Sequence, residues 1–376
     1  PEMARAWCED IVQIVKDLEE WGAEFIRGED GELDLKMFPN HSHPRACHHY
    51  DTTGNMVTKV LSKRLRGDDR IEKHSLTAIV DLVKHEGRVV GAWGVDYRNA
   101  KLVIYTAQQV ILATGGGSGL FYVNDNPPQV TGDGYVMGFR AGADLLGIEM
   151  IDFQAMCCSP EELFGFAPHP TGFINAGAVF RNEDGEEFLK RYFPDTAEKS
   201  SRSEVILAMA KEIHAGRAGS TGGIYMDATA IPIETIQKQI PHVYKTCLHR
   251  GIDITKTPLE VAPGSHTWLG GLDVDTYGQS SIPGLFAAGE TAGGIHGGNR
   301  IGGSALAASL AFGRRAGRKA AELVGSEPVS VPTLGDNAIP EAEREWLAGL
   351  MERTDGPFQG DVRMHCRMLA HDKLGP

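Results

Sequence analysis

Residues 284–317 read GLFAAGETAGGIHGGNRIGGSALAASLAFGRRAG, and this stretch decides the fold of the chain. Its first part, Leu285–Ala288, is a short apolar run closed by a glycine, which is typical of a buried strand. Six of the eleven residues in 293–303 are glycine, so the backbone there can approach a ligand closely. A helix of small residues is predicted from about 304 to 323. Its N-terminus turns free N–H groups and a partial positive charge towards the glycine loop.

Two charged residues, Glu290 and Arg300, lie inside this apolar, glycine-rich setting. An ordinary strand–loop–helix corner is the simpler alternative, but it requires neither six glycines nor an embedded arginine. The stretch therefore predicts a ligand-binding loop.

Length, charge and cysteine usage narrow the class of protein. The 376 residues suit two domains, and the net charge of −13 argues against nucleic acid and against an anionic membrane surface as the main partner. No apolar run is long enough to cross a membrane. The six cysteines form no C-x-x-C pair, so free thiols are expected rather than an iron–sulfur or zinc framework. A cytoplasmic protein is predicted.

Residues 284–317 resemble the C-terminal flavin-binding signature of the fumarate reductase/succinate dehydrogenase flavoprotein family. The resemblance implies FAD as the cofactor and a contact between Glu290 and the FAD ribose. It also implies that the helix N-terminus, at Ser304, Ala305 and Leu306, faces the flavin, and that Arg300 holds a substrate carboxylate.

Three further motifs follow the order of that family. An apolar strand leads into Thr-Gly-Gly, which in the family passes the FAD diphosphate or adenosine; the matching residues here are Ala113, Thr114 and Gly115. The sequence Thr-Gly-Asp-Gly at 131–134 opens a helix, with Thr131 or Asp133 as its cap, and Asp133 is predicted at the cofactor. The sequence His-Thr-Trp-Leu-Gly-Gly at 266–271 places His266 and Thr267 there as well.

The resemblance also implies the domain organisation. The expected fold class is α/β (α+β), with a Rossmann-like FAD-binding domain in residues 1–147 and 265–325, interrupted by a capping domain in 148–264. Residues 326–376 are expected to start a C-terminal helical region. The family's first βαβ unit, with its Gly-x-Gly-x-x-Gly sequence, is expected upstream of Pro1, so that the chain corresponds to a fragment.

Reduction of a C=C bond by a flavin requires a cationic clamp for the carboxylate and a proton donor. The family motifs imply that Arg300 and His266 hold the substrate carboxylate and that Arg202, just before a predicted helix, delivers the proton. Arginine is almost always protonated, so a carboxylate must resupply it, and Glu204 is a candidate. A solvated arginine at a helix start, and a capping or core role for His266, remain alternatives.

One segment departs from the family. Where the pattern reads Met-Glu-x-x-Gln-x-His-Pro-Thr, residues 148–156 read IEMIDFQAM, so that Gln154 takes the place of the histidine. Gln154 is predicted to bind substrate and, being unable to carry charge, to favour a substrate with one carboxylate and a bulkier, less charged second end. An insertion follows, whose apolar side chains are expected to line that end: Met156, Leu163, Phe164 and Phe166. His169 in a later His-Pro-Thr-Gly is the alternative histidine.

The expected function is that of an FAD-dependent oxidoreductase, which moves a hydride between flavin N5 and a CH–CH or C=C bond next to a carboxylate. An amino acid or a larger acyl compound is an alternative substrate, and a non-catalytic electron-transfer subunit is an alternative function. An iron–sulfur or haem protein is a candidate partner, through which this chain would lie at a membrane periphery. A metal site at the histidines of residues 41–49 is disfavoured, because their spacing fits no known ligand set.

Overall fold

The computed structural model describes residues 1–38, 41–50, 52–168, 170–335, 338–353 and 355–375, without the side chains of Thr171 and Met351. Helices and strands are mixed along the chain. The helices are α1 Glu2–Glu20, α2 Thr53–Arg66, α3 Asp133–Ala141, α4 Pro170–Ala176, α5 Leu189–Tyr192, α6 Arg202–His214, α7 Ile233–Gln239, α8 Pro241–His249, α9 Ser304–Ser326, α10 Glu341–Glu352 and α11 Gln359–Leu374. The strands are β1 Leu35–Lys36, β2 Ala46–Cys47, β3 Thr77–His85, β4 Arg88–Asp96, β5 Lys101–Thr106, β6 Val110–Leu112, β7 Leu145–Leu146, β8 Ile151–Ser159, β9 Val179–Arg181, β10 Ile224–Asp227, β11 Leu259–Trp268, β12 Gly271–Leu272 and β13 Leu285–Ala287.

The two apolar runs of the sequence form a parallel pair of strands. In this pair β13 lies beside β6, with Leu285 opposite Val110 and Ala287 opposite Leu112. All three residues of β13 are buried, which explains a run without polar alternation. The residues that follow both strands therefore emerge at one edge, where parallel strands end together.

Helix α9 follows the glycine loop, as predicted, and packs its small side chains inward. Ala308, Ala311 and Ala316 are at most 1% exposed. Helix α1 lies against it and is held by two ion pairs, Arg315–Asp10 at 2.5 Å and Arg314–Asp17 at 2.9 Å. Among the described residues, no helix is both long and apolar enough to span a bilayer.

An antiparallel sheet with the order β8–β11–β10–β9 forms a second layer, whose buried face packs against α6. Strands β8 and β11 pair along almost their full lengths, from Ile151 opposite Trp268 to Ser159 opposite Glu260. The predicted boundary between residues 264 and 265 falls within β11. The two regions that the sequence separates therefore share this strand pair, and the division into domains stays a prediction.

A buried carboxylate ties together the segments around α6. The Glu212 side chain is fully buried and accepts hydrogen bonds from Arg217 at 2.7 and 2.8 Å, Tyr192 at 2.7 Å, Arg191 at 2.6 Å and Asn182 at 2.9 Å. These bonds, those from Arg217 above all, lower the pKa of Glu212 to about 2. Because α6 carries Arg202 at its first turn, this cluster helps to hold Arg202 in place.

We expect Glu212→Gln to destabilise the protein near pH 7 by about 1.5–3 kcal/mol, since it removes the charged acceptor of the hydrogen bonds from Arg217 and Arg191. The pKa of Glu212 is depressed on folding, so its contribution is complete above the unfolded value near 4.5 and is lost as pH falls towards 2. The difference in free energy of unfolding between wild type and variant should therefore shrink below about pH 4.5. Urea unfolding at several pH values measures it, and a constant difference down to pH 3 would contradict the prediction.

Candidate active site

The glycine loop delivers the N-terminus of α9 to the site. Gly303 precedes the helix in the left-handed conformation (φ 78°), and no side chain caps the first turn. The hydroxyl of Ser304 donates to the carbonyl of Ile301 at 2.6 Å, so it does not cap the helix either. The first turn, with Ala305 and Leu306, thus presents its N–H groups and the positive end of the helix dipole to a ligand.

The segment after β6 meets the turn after β13. The Thr114 and Thr291 hydroxyls lie 3.2 Å apart, and the Thr291 hydroxyl donates to the Gly115 carbonyl at 3.0 Å. Gly134 in the first turn of α3 packs so closely that a Cβ there would overlap the Thr114 hydroxyl. Ala113 and Thr114 themselves are exposed. The segments after β6, after β13 and at the start of α3, which carry three of the predicted cofactor motifs, thus lie side by side.

Helix α3 starts differently from the sequence prediction. Its N-cap is Gly132, in the left-handed conformation, and no side chain caps the helix. The Thr131 hydroxyl instead donates to the Asp133 carboxylate, at 3.1 and 3.2 Å. A cap by Thr131 or Asp133 is therefore wrong, because the glycine conformation turns the chain before either side chain reaches the helix N–H groups. Asp133 remains exposed at the helix N-terminus, where negative charge is favoured.

Glu290 is half-buried just after the end of β13 and contacts the last residue of β11. Its Oε1 accepts a hydrogen bond from the backbone N–H of Trp268 at 2.7 Å, next to buried Thr267. Gly116 packs against the same carboxylate, and any Cβ at Gly116 would overlap it. Burial raises the pKa of Glu290, against the effect of the Trp268 hydrogen bond. A half-buried carboxylate with one oxygen so engaged suits a neutral hydroxyl donor at its other oxygen.

Two arginines from different elements converge on one aspartate. Asp152 in β8 accepts from Arg202 at 2.6 Å and from Arg300 at 3.1 Å, both through Oδ2. The Arg300 side chain is 4% exposed, Asp152 12% and Arg202 27%. Arg202 is therefore not a solvated arginine at a helix start: it faces the same point as Arg300.

A second cluster lies around His266. Asp125 accepts from His266 Nδ1 at 2.8 Å and from the Gln154 amide at 2.8 Å, and Gln154 Nε2 is 3.1 Å from His266 Nδ1. An acceptor at Nδ1 fixes the proton there, so that Nε2 is the nitrogen left for a ligand. His266 is half-buried and is not a capping or core histidine.

The residues present fit a bound cofactor and substrate. Arg300 Nε and Trp268 Nε1 are buried without a hydrogen-bond partner in the described part of the chain, and buried donors normally have one. Burial, with Arg202 nearby, lowers the pKa of the Arg300 guanidinium, and burial lowers the pKa of neighbouring His296 to about 4. A planar anion would satisfy Arg300 Nε.

Several sequence expectations are corrected by the geometry. Glu204 does not pair with Arg202; it forms a capping box with Ser201 at the start of α6, and Asp152 pairs with Arg202 instead. Met156 and Leu163 do not line a ligand wall, because both are fully buried in the protein core. His169 lies outside the described residues.

Three of the four histidines in residues 41–49 have separate partners. His41 Nε2 bonds the Gly302 carbonyl at 2.9 Å, His48 pairs with Asp34 at 3.2 Å, and His49 Nδ1 bonds the Glu24 carbonyl at 2.6 Å. Within the described ranges they form no cluster that could hold a metal ion. His41 instead holds the glycine loop through its hydrogen bond to the Gly302 carbonyl.

Sequence reasoning missed Asp125 and Asp152. A signal was present for Asp152, since it is the one charged residue of β8 and stands at the place where the family pattern has glutamine. Asp125 stands in an Asn-Asp-Asn turn sequence, which is ordinary loop composition. Only the fold brings it to His266, 141 residues away.

Comparison with known proteins agrees with this geometry. Residues 1–306 match the FAD binding domain family. The chain is 36% identical over 338 residues to one subunit of the fumarate reductase (CoM/CoB) of Methanothermobacter marburgensis, covering 86% of this chain and 58% of that protein. It is 34% identical over 352 residues to the L-aspartate oxidase of Caulobacter vibrioides, covering 92% and 66%.

A solved structure has the same fold. The structure of Mycobacterium smegmatis Sdh1 in complex with UQ1 superposes with a TM-score of 0.81 at 32% identity, covering all of this chain and 64% of that one. The chain spans less than two thirds of each of these three proteins.

The fold and the site thus define a flavoprotein domain, and the predicted mixed fold class is confirmed. The chain belongs to the FAD binding domain family, among the flavoproteins of the fumarate reductase/succinate dehydrogenase type. The prediction of FAD as cofactor is confirmed with it.

Proposed function

We propose that this chain forms the flavin and substrate site of an FAD-dependent oxidoreductase that acts on a CH–CH or C=C bond next to a carboxylate. The observation that carries the proposal is the convergence of Arg300 and Arg202 on one point, 3.1 and 2.6 Å from the same Asp152 oxygen. Two guanidinium groups from separate segments form an anion site. A scaffold that only transfers electrons would need neither.

FAD fits the residues at the ends of β6 and β13. The first turn of α9, with Ser304, Ala305 and Leu306, would face the flavin, and Glu290 would accept a hydrogen bond from the ribose. Ala113, Thr114, Gly115, Asp133 and Thr267 would complete the surface. Bound FAD supplies the two-electron hydride transfer; the chain supplies binding, orientation and the proton.

Arg300 and His266 would hold the substrate carboxylate. Arg300 offers its unpaired Nε, and His266 offers Nε2 because Asp125 engages its Nδ1. Both donors would stabilise the negative charge that develops on the carboxylate side of the C=C bond during reduction. Gln154 would act through His266 rather than on the substrate, since its amide donates to Asp125.

Arg202 would donate the proton to the second carbon. A guanidinium that gives up a proton must regain one at once, and the Asp152 carboxylate, 2.6 Å from Arg202, is in position to relay one to it from solvent. In the reduction the hydride brings two electrons to one carbon and the proton completes the other, so that a C=C bond becomes CH–CH. The reverse oxidation would use the same groups in the opposite order.

A second candidate is oxidation of an α-amino acid, which the likeness to the Caulobacter L-aspartate oxidase favours. The likeness to a protein named as one subunit of a reductase favours a partner that exchanges electrons with the flavin, for example an iron–sulfur or haem protein. A cytoplasmic location, or a peripheral one through such a partner, stays a prediction.

The intact protein should be yellow, with flavin absorption bands, and should oxidise reduced viologen when given an enoate. A parallel assay with L-aspartate and oxygen tests the second candidate, because an enzyme that oxidises an amino acid would consume oxygen without viologen. A flavin-containing protein that turns over neither class of substrate would leave only the electron-transfer function and would reject the proposal.

We expect Glu290→Ala to weaken FAD binding by about 1.5–3 kcal/mol, or about 10- to 150-fold in dissociation constant, because it removes a charged hydrogen-bond acceptor. Titration of the flavin-free protein with FAD, followed by fluorescence quenching, measures the effect. Glu322→Ala is a matched control, since that glutamate is exposed and pairs only with Lys319. Equal affinity in the Glu290 variant and wild type would contradict the ribose contact.

A further inference from the structure

Asp152 is a carboxylate built into the arginine pair. Its Oδ2 contacts Arg202 at 2.6 Å and Arg300 at 3.1 Å. The family pattern has a neutral glutamine at this place, so the aspartate adds one negative charge in contact with both guanidinium groups. The chain therefore has a carboxylate of its own at the place where the two arginines would otherwise contact only the ligand.

Among the described side chains in direct contact at this point, the charges leave room for a single anion. Arg300 and Arg202 bring two positive charges, and Asp152 neutralises one of them. Asp125 is engaged with His266 and with the Gln154 amide, so its hydrogen bonds go to that cluster. A second ligand carboxylate would meet Asp152 in a site where Arg300 is almost wholly buried, and like charges repel strongly where water is excluded.

A small cavity beside Arg202 supports the same conclusion. Its volume is about 30 Å³, room for about two water molecules. Apolar side chains make up most of its lining: Ala155, Pro170, Ile174, Val205 and Ile206, with Gln154, Ser200 and Arg202 at its polar part. An uncharged group of about methyl size suits this space, whereas the bulky group expected from the sequence does not.

We infer that Asp152 restricts this site to substrates with one carboxylate and a small uncharged second end, and disfavours dicarboxylates. The inference rests on the proposed function, because it concerns the same arginine pair. It makes Asp152 a specificity-determining residue, whose removal changes the choice between substrates of similar shape and unequal charge.

Fumarate and its monomethyl ester form such a pair, and the test uses the intact protein with FAD. The ratio of kcat/KM for the monoester to kcat/KM for fumarate should exceed one in wild type. Asp152→Asn should shift this ratio towards fumarate by about tenfold or more, since it removes one like charge. Any general loss of proton delivery cancels in the ratio. Asp17→Asn removes an Asp–Arg pair at 2.9 Å elsewhere, on α1, and should leave the ratio unchanged.

Binding supplies a readout that does not depend on turnover. Dissociation constants for succinate and monomethyl succinate, measured by calorimetry in the same variants, should shift in the same direction. If wild type turns over no enoate but binds the monoester more tightly, and Asp152→Asn reverses that preference, the proposed function fails while the role of Asp152 stands. Asp152→Gln, which introduces the residue of the family pattern, replaces Asp152→Asn if the latter loses its flavin or its fold.

Three results would overturn the inference. One is a wild-type preference for fumarate over the monoester. Another is an unchanged ratio in both Asp152 variants. The third is tighter binding of L-aspartate than of either probe, because Asp152 would then serve an ammonium group rather than exclude a carboxylate.

Discussion

Arg202→Gln is expected to slow reduction of the substrate by about 100- to 10,000-fold, the range that a positioned proton donor contributes. Glutamine keeps a polar side chain of similar reach but cannot donate a proton as a cation does. The structure places Arg202 against Asp152 at 2.6 Å, so the variant also removes the contact through which Arg202 would regain its proton. Substrate binding should change much less than the chemical step.

Stopped-flow measurement of flavin reoxidation by substrate, in H₂O and in D₂O, tests this expectation. The wild-type rate should show a solvent isotope effect if proton transfer limits the step. Arg181→Gln is the control, because that arginine also pairs with an aspartate, Asp227 at 3.3 Å, on the same sheet. An unchanged reoxidation rate in the Arg202 variant would make Arg202 a purely structural partner of Asp152.

Arg300→Lys is expected to lower kcat/KM by about 100- to 1,000-fold, comparable to the loss of a preorganised donor to a developing negative charge. Lysine keeps the positive charge, but it lacks the planar fork that engages a carboxylate through two parallel bonds. In this chain the Arg300 guanidinium makes two separate contacts: one nitrogen bonds Asp152, and Nε remains for a ligand. An ammonium group cannot reach both.

Steady-state kinetics with a carboxylate substrate, at matched flavin content, measures the effect of Arg300→Lys. Arg315→Lys makes the same exchange in α9 at a side chain that is also mostly buried and paired, with Asp10 at 2.5 Å. That control should retain its activity and report only the effect on stability. Near-normal turnover by the Arg300 variant would show that Arg300 does not hold the substrate carboxylate.

The local structure around the flavin site could be predicted from the sequence. Leu285–Ala287 forms a strand because it is a short apolar run, and α9 forms because small residues follow a glycine loop. Such patterns depend on neighbours within a few residues, which the sequence displays directly. The resemblance to the family, rather than a local pattern, implied that Glu290, His266 and Arg300 lie in one region.

What only the tertiary structure decided is which charges meet. Asp125 and His266 are 141 residues apart, Asp152 and Arg300 148, and Asp152 and Arg202 50. Glu204 was the nearer carboxylate in sequence, but the start of α6 uses it as a capping residue and turns Arg202 towards β8. Pairing of β8 with β11 brings Asp152, Gln154 and His266 to one end of the sheet. Ion pairs and hydrogen bonds act over a few ångströms in space, so their partners follow from strand pairing and helix packing rather than from distance along the chain.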